Sequence, residues 1–200
     1  MSKDVEDRSR KYLQEVDRTL KAMEKDFPAI ASRVISTLLA ARDSGKRIFI
    51  MGNGGSASTA SHMASDLSKG ANRKDAARFK AVALTDNIPL MLAWANDASY
   101  DDIFIEQLRN HVEIGDVVIG ISGSGNSPNV LKAVEYANGQ GAITVGLTGF
   151  DGGKLSKIAK LTYVVPNHCM QQIEDIHLLI EHMLSLILRD SPECAGKKER

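Results

Sequence analysis

The sequence predicts an α/β domain built on a doubly wound sheet of about five parallel strands. Two observations carry this expectation. Five short, almost continuous apolar runs recur along the chain, RIFIM (47–51), AVAL (81–84), VVIGI (117–121), ITVGL (143–147) and LTYVV (161–165). Such runs mark strands buried on both faces of a parallel sheet. Between them lie helical patterns around residues 89–95, 102–112, 128–138 and 153–159, which supply the right-handed crossovers that parallel neighbours require.

Two amphipathic helices precede the first strand. Leu13, Val16, Leu20 and Met23 recur at steps of three and four between charged residues, so residues 5–23 form the first. Phe27-Pro28 punctuates the chain, and a second helix follows with Ile30, Val34, Ile35 and Leu38 facing inward and Gly45 as its stop. The pair needs a partner surface, either the chain's own sheet or another subunit. A long helix from about 171 to 188 closes the domain, with Ile173, Ile176, Leu179, Ile180, Met183, Leu184 and Ile187 as its apolar stripe. Glu174, His177, Glu181 and His182 are placed on its other faces. The reading is one domain over residues 1–190, with a helical extension at about 4–44 and a polar, frayed tail at 191–200.

Composition narrows the function. Lys+Arg and Asp+Glu are equal at 25 each, so there is no global positive field for nucleic acid or acidic membrane. No run approaches the roughly 20 apolar residues that span a bilayer, and the charged start lacks a secretion signal. Cys169 and Cys194 match no metal spacing and read as reduced thiols. A cytoplasmic, small-molecule protein is expected.

Two glycine- and serine-rich turns each follow a strand and open a helix. In the first, Asn53, Gly54, Gly55 and Ser56 precede an alanine- and serine-rich helix; in the second, Ser122, Gly123, Ser124, Gly125 and Ser127 precede Pro128. Amides at a helix N-terminus and serine hydroxyls suit a phosphate, although serines there also cap ordinary helices. Neither turn has the lysine of a P-loop or the dinucleotide glycine spacing. At the carboxyl ends of neighbouring strands the two turns face one crevice, phosphate on one and polyol on the other. A third loop contributes Asn96 and Asp97.

Acid, base and metal candidates lie on two helices. His62 and Asp66 are four apart and share a helix face, and Glu174 and His182 lie on the last helix. Imidazole and carboxylate together can hold Zn²⁺ or another divalent ion, while an i,i+4 His–Asp pair is also common as a solvated pair. His177 and His168 are rival histidines, and His111 reads as a surface residue.

GNGGSAS followed by HMASDL, then ISGSGNSPNVLKA, TGFDGGKL and IEDIHLLIEHML, resembles the sugar isomerase (SIS) domain family, in its sedoheptulose 7-phosphate isomerase branch. The similarity runs from about residue 10 to residue 189. It implies a flavodoxin-like three-layer α/β/α sandwich, usually a homotetramer, with N-terminal helices in the subunit interfaces and active sites between subunits. The implied reaction interconverts a ketose and an aldose 7-phosphate through an enediol, the first step toward nucleotide-activated heptose. The resemblance puts phosphate binding on Ser56, Ser122, Ser124 and Ser127, with Gly123 in the same turn. It puts sugar contacts on Asn53, Gly54, Gly55, Asp66, Asn96, Asp97 and Glu174. Asp66 becomes the general base, His182 the acid, and His62, Asp66, Glu174 and His182 the metal set. Asp66 stands where the branch has glutamate, Glu174 where it has glutamine, and Gly123 where threonine is usual. Non-catalytic sugar-phosphate or partner-binding SIS proteins, and isomerases of other phosphosugars, are the alternatives.

Overall fold

The computed structural model describes residues 2–74 and 76–194. Strands β1 (Arg47–Gly52), β2 (Lys80–Ala83), β3 (Val117–Ile121), β4 (Ile143–Thr148) and β5 (Leu161–Val164) form one parallel sheet in the order β2-β1-β3-β4-β5, which is the flavodoxin-like order. The helices are α1 (Ser2–Met23), α2 (Phe27–Asp43), α3 (Gly55–Ser65), α4 (Ile88–Asp97), α5 (Ile105–His111), α6 (Pro128–Gly139), α7 (Leu155–Ile158) and α8 (Met170–Asp190).

The continuous apolar runs are explained by burial on both faces. Along β1, Ile48 and Ile50 join one cluster with Leu38 of α2, Met63 of α3 and Ile176 and Ile180 of α8. Phe49 and Met51 point the other way, into a cluster with Leu108 of α5, Val130 and Val134 of α6 and Leu155 of α7. Successive side chains of a strand alternate faces, so a strand covered on both sides must be apolar at every step. The result is the three-layer sandwich.

The N-terminal helices behave differently from each other. α2 lies on the sheet, with Val34, Ile35 and Leu38 buried. From Tyr12 onward α1 packs on this chain, with the Tyr12 hydroxyl donating to the Asp175 carboxylate of α8. Thr19 and Met23 are buried, Thr19 Oγ1 accepts from Asn167 Nδ2 at 2.7 Å, and Glu15 accepts from Gln172 Nε2 at 2.9 Å. Leu13, placed by periodicity on the inward stripe, is 69% exposed, and Val5 is 58% exposed. The period locates an apolar face but does not say which surface covers it. α4 is apolar in composition yet buries no residue, and Ile88 and Leu92 are 59% and 63% exposed.

Two boundaries differ from expectation. Asn96 and Asp97 belong to the last turn of α4 rather than to a loop. Of the polar tail expected after residue 190, Pro192–Cys194 form a 3-10 turn that packs against the domain. Cys194 is buried, and its carbonyl accepts from Arg42 at 2.9 Å. Residues 195–200 lie outside those described.

Candidate functional site

From β1 the chain crosses to β2 on one side, and from β3 to β4 on the other, while β1 and β3 are hydrogen-bonded neighbours. The carboxyl ends of these two strands therefore flank the switch point, where open α/β sheets bind ligands. Both glycine- and serine-rich turns emerge there. After β1, Gly54 takes φ 54° and ψ −122°, a conformation reserved for glycine. It turns the chain straight into α3, with Ser56 buried in the first turn.

After β3, the Ser122 and Ser127 hydroxyls lie 2.9 Å apart, and Ser122 is buried. Ser127 occupies the N-cap position of α6, but its side chain makes no capping hydrogen bond. The ordinary capping role of a serine there is thus unfilled. Ser124 Oγ accepts from the Asn126 amide at 3.2 Å, and Asn126 Oδ1 accepts from the Lys154 amide at 3.1 Å, which ties the turn to the loop after β4. Asn53 faces Asn129 in a reciprocal amide pair with both contacts at 2.9 Å, and Asn53 Oδ1 also accepts from the Tyr100 hydroxyl at 3.0 Å. This bridge fixes the spacing of the two turns. Asn129 and Tyr100 went unnoticed in the sequence, because an amide pair formed across 76 residues has no local signal.

The second half of the site lies one helix length away. α3 ends at Ser65 and passes into a π turn, Asp66–Gly70, a helix irregularity frequent at functional sites. His62 and Asp66 project toward α8, and there they meet His182 and Glu181; one ligand atom from each of the four lies within 4.8 Å of the others. The His62 and His182 Nε2 atoms are 3.3 Å apart, with the rings edge to face. His182 Nε2 is 3.4 Å from Glu181 Oε2, and His62 Nε2 is 4.0 Å from Asp66 Oδ1. Two imidazoles and two carboxylates at these separations can hold a divalent metal.

Glu181 replaces Glu174 in this group. The Glu174 carboxylate instead lies against Gly55, where an added Cβ would stand 2.4 Å from Oε2. Residue 174 is two turns from 181 on α8, so one carboxylate can reach the first turn of α3 and the other its far end. Glu181 is only 1% exposed, and neither of its oxygens has a hydrogen-bond partner. Burial, and then the neighbouring Asp66 carboxylate, push its pKa up to about 8. Ionising this buried carboxyl beside Asp66 is costly, and a cation between these four residues would favour its charged form.

The placement of Glu181 on an outer face of α8 is corrected by the structure, as is that of His177. Residues 173, 177, 181, 184 and 188 share one side of the helix, and Ile173, His177, Glu181, Leu184 and Leu188 are all buried. That spacing was available in the sequence. His177 Nε2 donates to the Thr148 carbonyl, 3.1 Å away; since a carbonyl only accepts, Nε2 carries the proton. His168 and His111 are exposed and stand apart from the cluster.

Burial lowers the His177 pKa from 6.5 to about 4, against a smaller opposing effect of the Thr148 carbonyl. A group that is neutral when folded contributes its full stability above pH 6.5 and loses it as pH falls toward 4. The expected loss is about 3 kcal/mol from this residue. Urea denaturation at pH 7 and pH 4.5 should show it, and His177→Gln, which keeps a donor for Thr148, should flatten that part of the profile.

The fold and site together define an α/β ligand-crevice protein with a phosphate-type turn at the switch point and, one helix length away, a partly exposed acid–imidazole cluster seated on the buried Glu181. The SIS domain family model matches residues 11–149. The chain belongs to the SIS domain family, in its phosphoheptose isomerase branch. It is 38% identical over 164 residues to the phosphoheptose isomerase of Rhodospirillum rubrum, covering 82% of this chain and 86% of that protein. With the phosphoheptose isomerase of Aquifex aeolicus it shares 36% over 157 residues, covering 78% and 82%. The solved structure of phosphoheptose isomerase GmhA from Neisseria gonorrhoeae superposes with a TM-score of 0.86 at 30% identity, over 92% of this chain and 98% of that one.

Proposed function

We propose that this protein is an aldose–ketose isomerase acting on sedoheptulose 7-phosphate, as the names of its relatives suggest. The observation that carries the reading is the spacing of the two halves of the site along α3. His62 is seven residues from Gly55, which at 1.5 Å per residue is roughly 10 Å. That is the reach of a sugar phosphate with several carbons between its phosphate and its reacting end.

In this reading Ser56, Ser122, Ser124 and Ser127 bind the phosphate at the open N-termini of α3 and α6, and Gly123 lets it approach. Asn53, Gly54, Gly55 and Glu174 line the polyol, with Asn96 and Asp97 at the rim. Asp66 moves a proton between adjacent carbons, and His182 delivers one to the carbonyl oxygen. His62, Asp66, Glu181 and His182 would hold a divalent ion, and two nitrogens with two oxygens favour zinc. Such an ion, when bound, polarises the substrate oxygens. Asp66 is one methylene shorter than glutamate, and the buried Glu181 restores a second carboxylate to the same place.

Incubation with sedoheptulose 7-phosphate, followed by NMR, should show an aldose 7-phosphate. Binding without turnover, with and without added Zn²⁺, would identify a sugar-phosphate sensor instead, and turnover of another ketose phosphate alone would reassign the substrate.

The protein would act in the cytoplasm as a homo-oligomer, with a tetramer as the fuller form. Support comes from the apolar surface left on α1 and α4, where Val5, Leu13, Ile88 and Leu92 are exposed. No described helix is long and apolar enough to cross a membrane. Leu13→Asp combined with Leu92→Asp should lower the oligomeric state by light scattering, and an unchanged mass would remove these helices from the interface.

A further inference from the structure

The first turn of α8 touches three of the crevice loops through one helix face. Met170, Ile173 and Glu174 stand at i, i+3 and i+4, so their side chains point the same way. Each is seated on a glycine. An added Cβ at Gly123, in the turn after β3, would lie 2.4 Å from Met170 Sδ; one at Gly149, after β4, would lie 2.4 Å from Ile173 Cδ1; and one at Gly55, after β1, would lie 2.4 Å from Glu174 Oε2. The turn of α8 and the three loops are fitted to one another.

Gly123 differs from Gly54 in the reason for its glycine. It is not among the residues with positive φ, so the backbone there suits any side chain. Space is what excludes one. Gly123 is buried, while Met170 above it is 36% exposed, so the thioether covers the turn on one side and is open on the other.

We propose that Met170 is a positioning residue of the phosphate cradle: its thioether takes the place of a side chain at 123 and forms a movable apolar wall beside Ser122 and Ser124. Serine hydroxyls and helix amides hold the phosphoryl oxygens, and the thioether packs against the carbon that carries the phosphate. Methionine suits this role because it is unbranched and polarisable and adapts to an irregular gap.

The inference rests on the phosphosugar reading, and a double-mutant cycle on the full-length protein tests the two separately. Gly123→Ala alone should raise KM for sedoheptulose 7-phosphate about tenfold, with kcat within about twofold, because the new Cβ drives the thioether into the ligand. Adding Met170→Ala should bring KM back to within about threefold of Met170→Ala alone. Met170→Ala by itself should weaken the sugar phosphate about fivefold and leave inhibition by inorganic phosphate within twofold, since inorganic phosphate has no carbon for the wall to hold. Equal effects of Gly123→Ala in both backgrounds, or equal losses for sugar phosphate and inorganic phosphate, would overturn the role of Met170. Wild-type protein that neither binds nor converts sedoheptulose 7-phosphate would instead overturn the phosphosugar reading.

Discussion

Asp66→Asn and His182→Ala should each lower kcat for sedoheptulose 7-phosphate by about 10²–10⁴-fold, the range carried by a positioned acid or base. The two variants should fail in different ways. Asp66→Asn keeps the size and hydrogen-bonding reach of the side chain but cannot accept a carbon-bound proton, so exchange of that proton with solvent deuterium should stop along with turnover. His182→Ala leaves the carboxylate in place, so slow exchange should survive while product formation fails. NMR in D₂O reads both. The site has a second carboxylate within 4.8 Å, which sharpens the expectation: full activity in Asp66→Asn would transfer the base role to Glu181. Full activity in both variants would remove the acid–base assignment altogether.

That ambiguity between two carboxylates is where the sequence was least informative. The sheet was legible because burial on both faces forces apolar runs, and VVIGI at 117–121 coincides with β3 residue for residue. The phosphate-type turns were legible because glycine, serine and proline act locally. What the residues did not disclose are the meetings between distant segments. His62 and His182 come together across 120 positions; their residue types on two helices made them candidates for one metal set, and the resemblance to the SIS family implied the same set, but no local spacing required them to meet. Glu181 was misplaced for a different reason. In the stripe Ile173, Ile176, Ile180 and Leu184 it sits at a core position, but a carboxylate is so rarely buried without a partner that residue type outweighed periodicity. The helix faces of α1 and α4 failed in the opposite direction, since an apolar stripe reports a need for cover and not its source. Buried polar residues on an otherwise apolar helix face are thus the places where pattern and chemistry conflict, and here the conflict marks the site.

Glu181→Gln should change the protein in opposite directions with and without metal. In metal-free protein the substitution removes a carboxyl that is 1% exposed, lacks a hydrogen-bond partner and stands beside the Asp66 carboxylate. With its pKa raised from 4.5 to about 8, Glu181 must take up a proton on folding at neutral pH. That cost grows as pH rises through this window, and an amide does not carry it. At pH 7, therefore, thermal unfolding of the metal-free variant should occur at equal or higher temperature than wild type. With Zn²⁺ present the order should reverse. The wild-type group offers two imidazoles and two carboxylates, and an amide oxygen in place of Glu181 removes one formal charge from the donor set. Loss or neutralisation of a single ligand should weaken metal binding by at least the 10–100-fold that even outer-shell changes produce. Because a ligand that binds only the folded state stabilises it by mass action, the Zn²⁺-induced rise in melting temperature should shrink in the variant. Elemental analysis of protein prepared without chelator gives the second readout, with near-stoichiometric metal expected in wild type and substoichiometric metal in the variant. A variant that binds Zn²⁺ as tightly as wild type would show that Glu181 is not a ligand. The companion substitution Glu174→Gln decides between the two glutamates of α8, since 174 lies against Gly55 at the other end of α3. It should leave the metal content intact and raise KM instead, whereas loss of metal there would return the fourth ligand to Glu174.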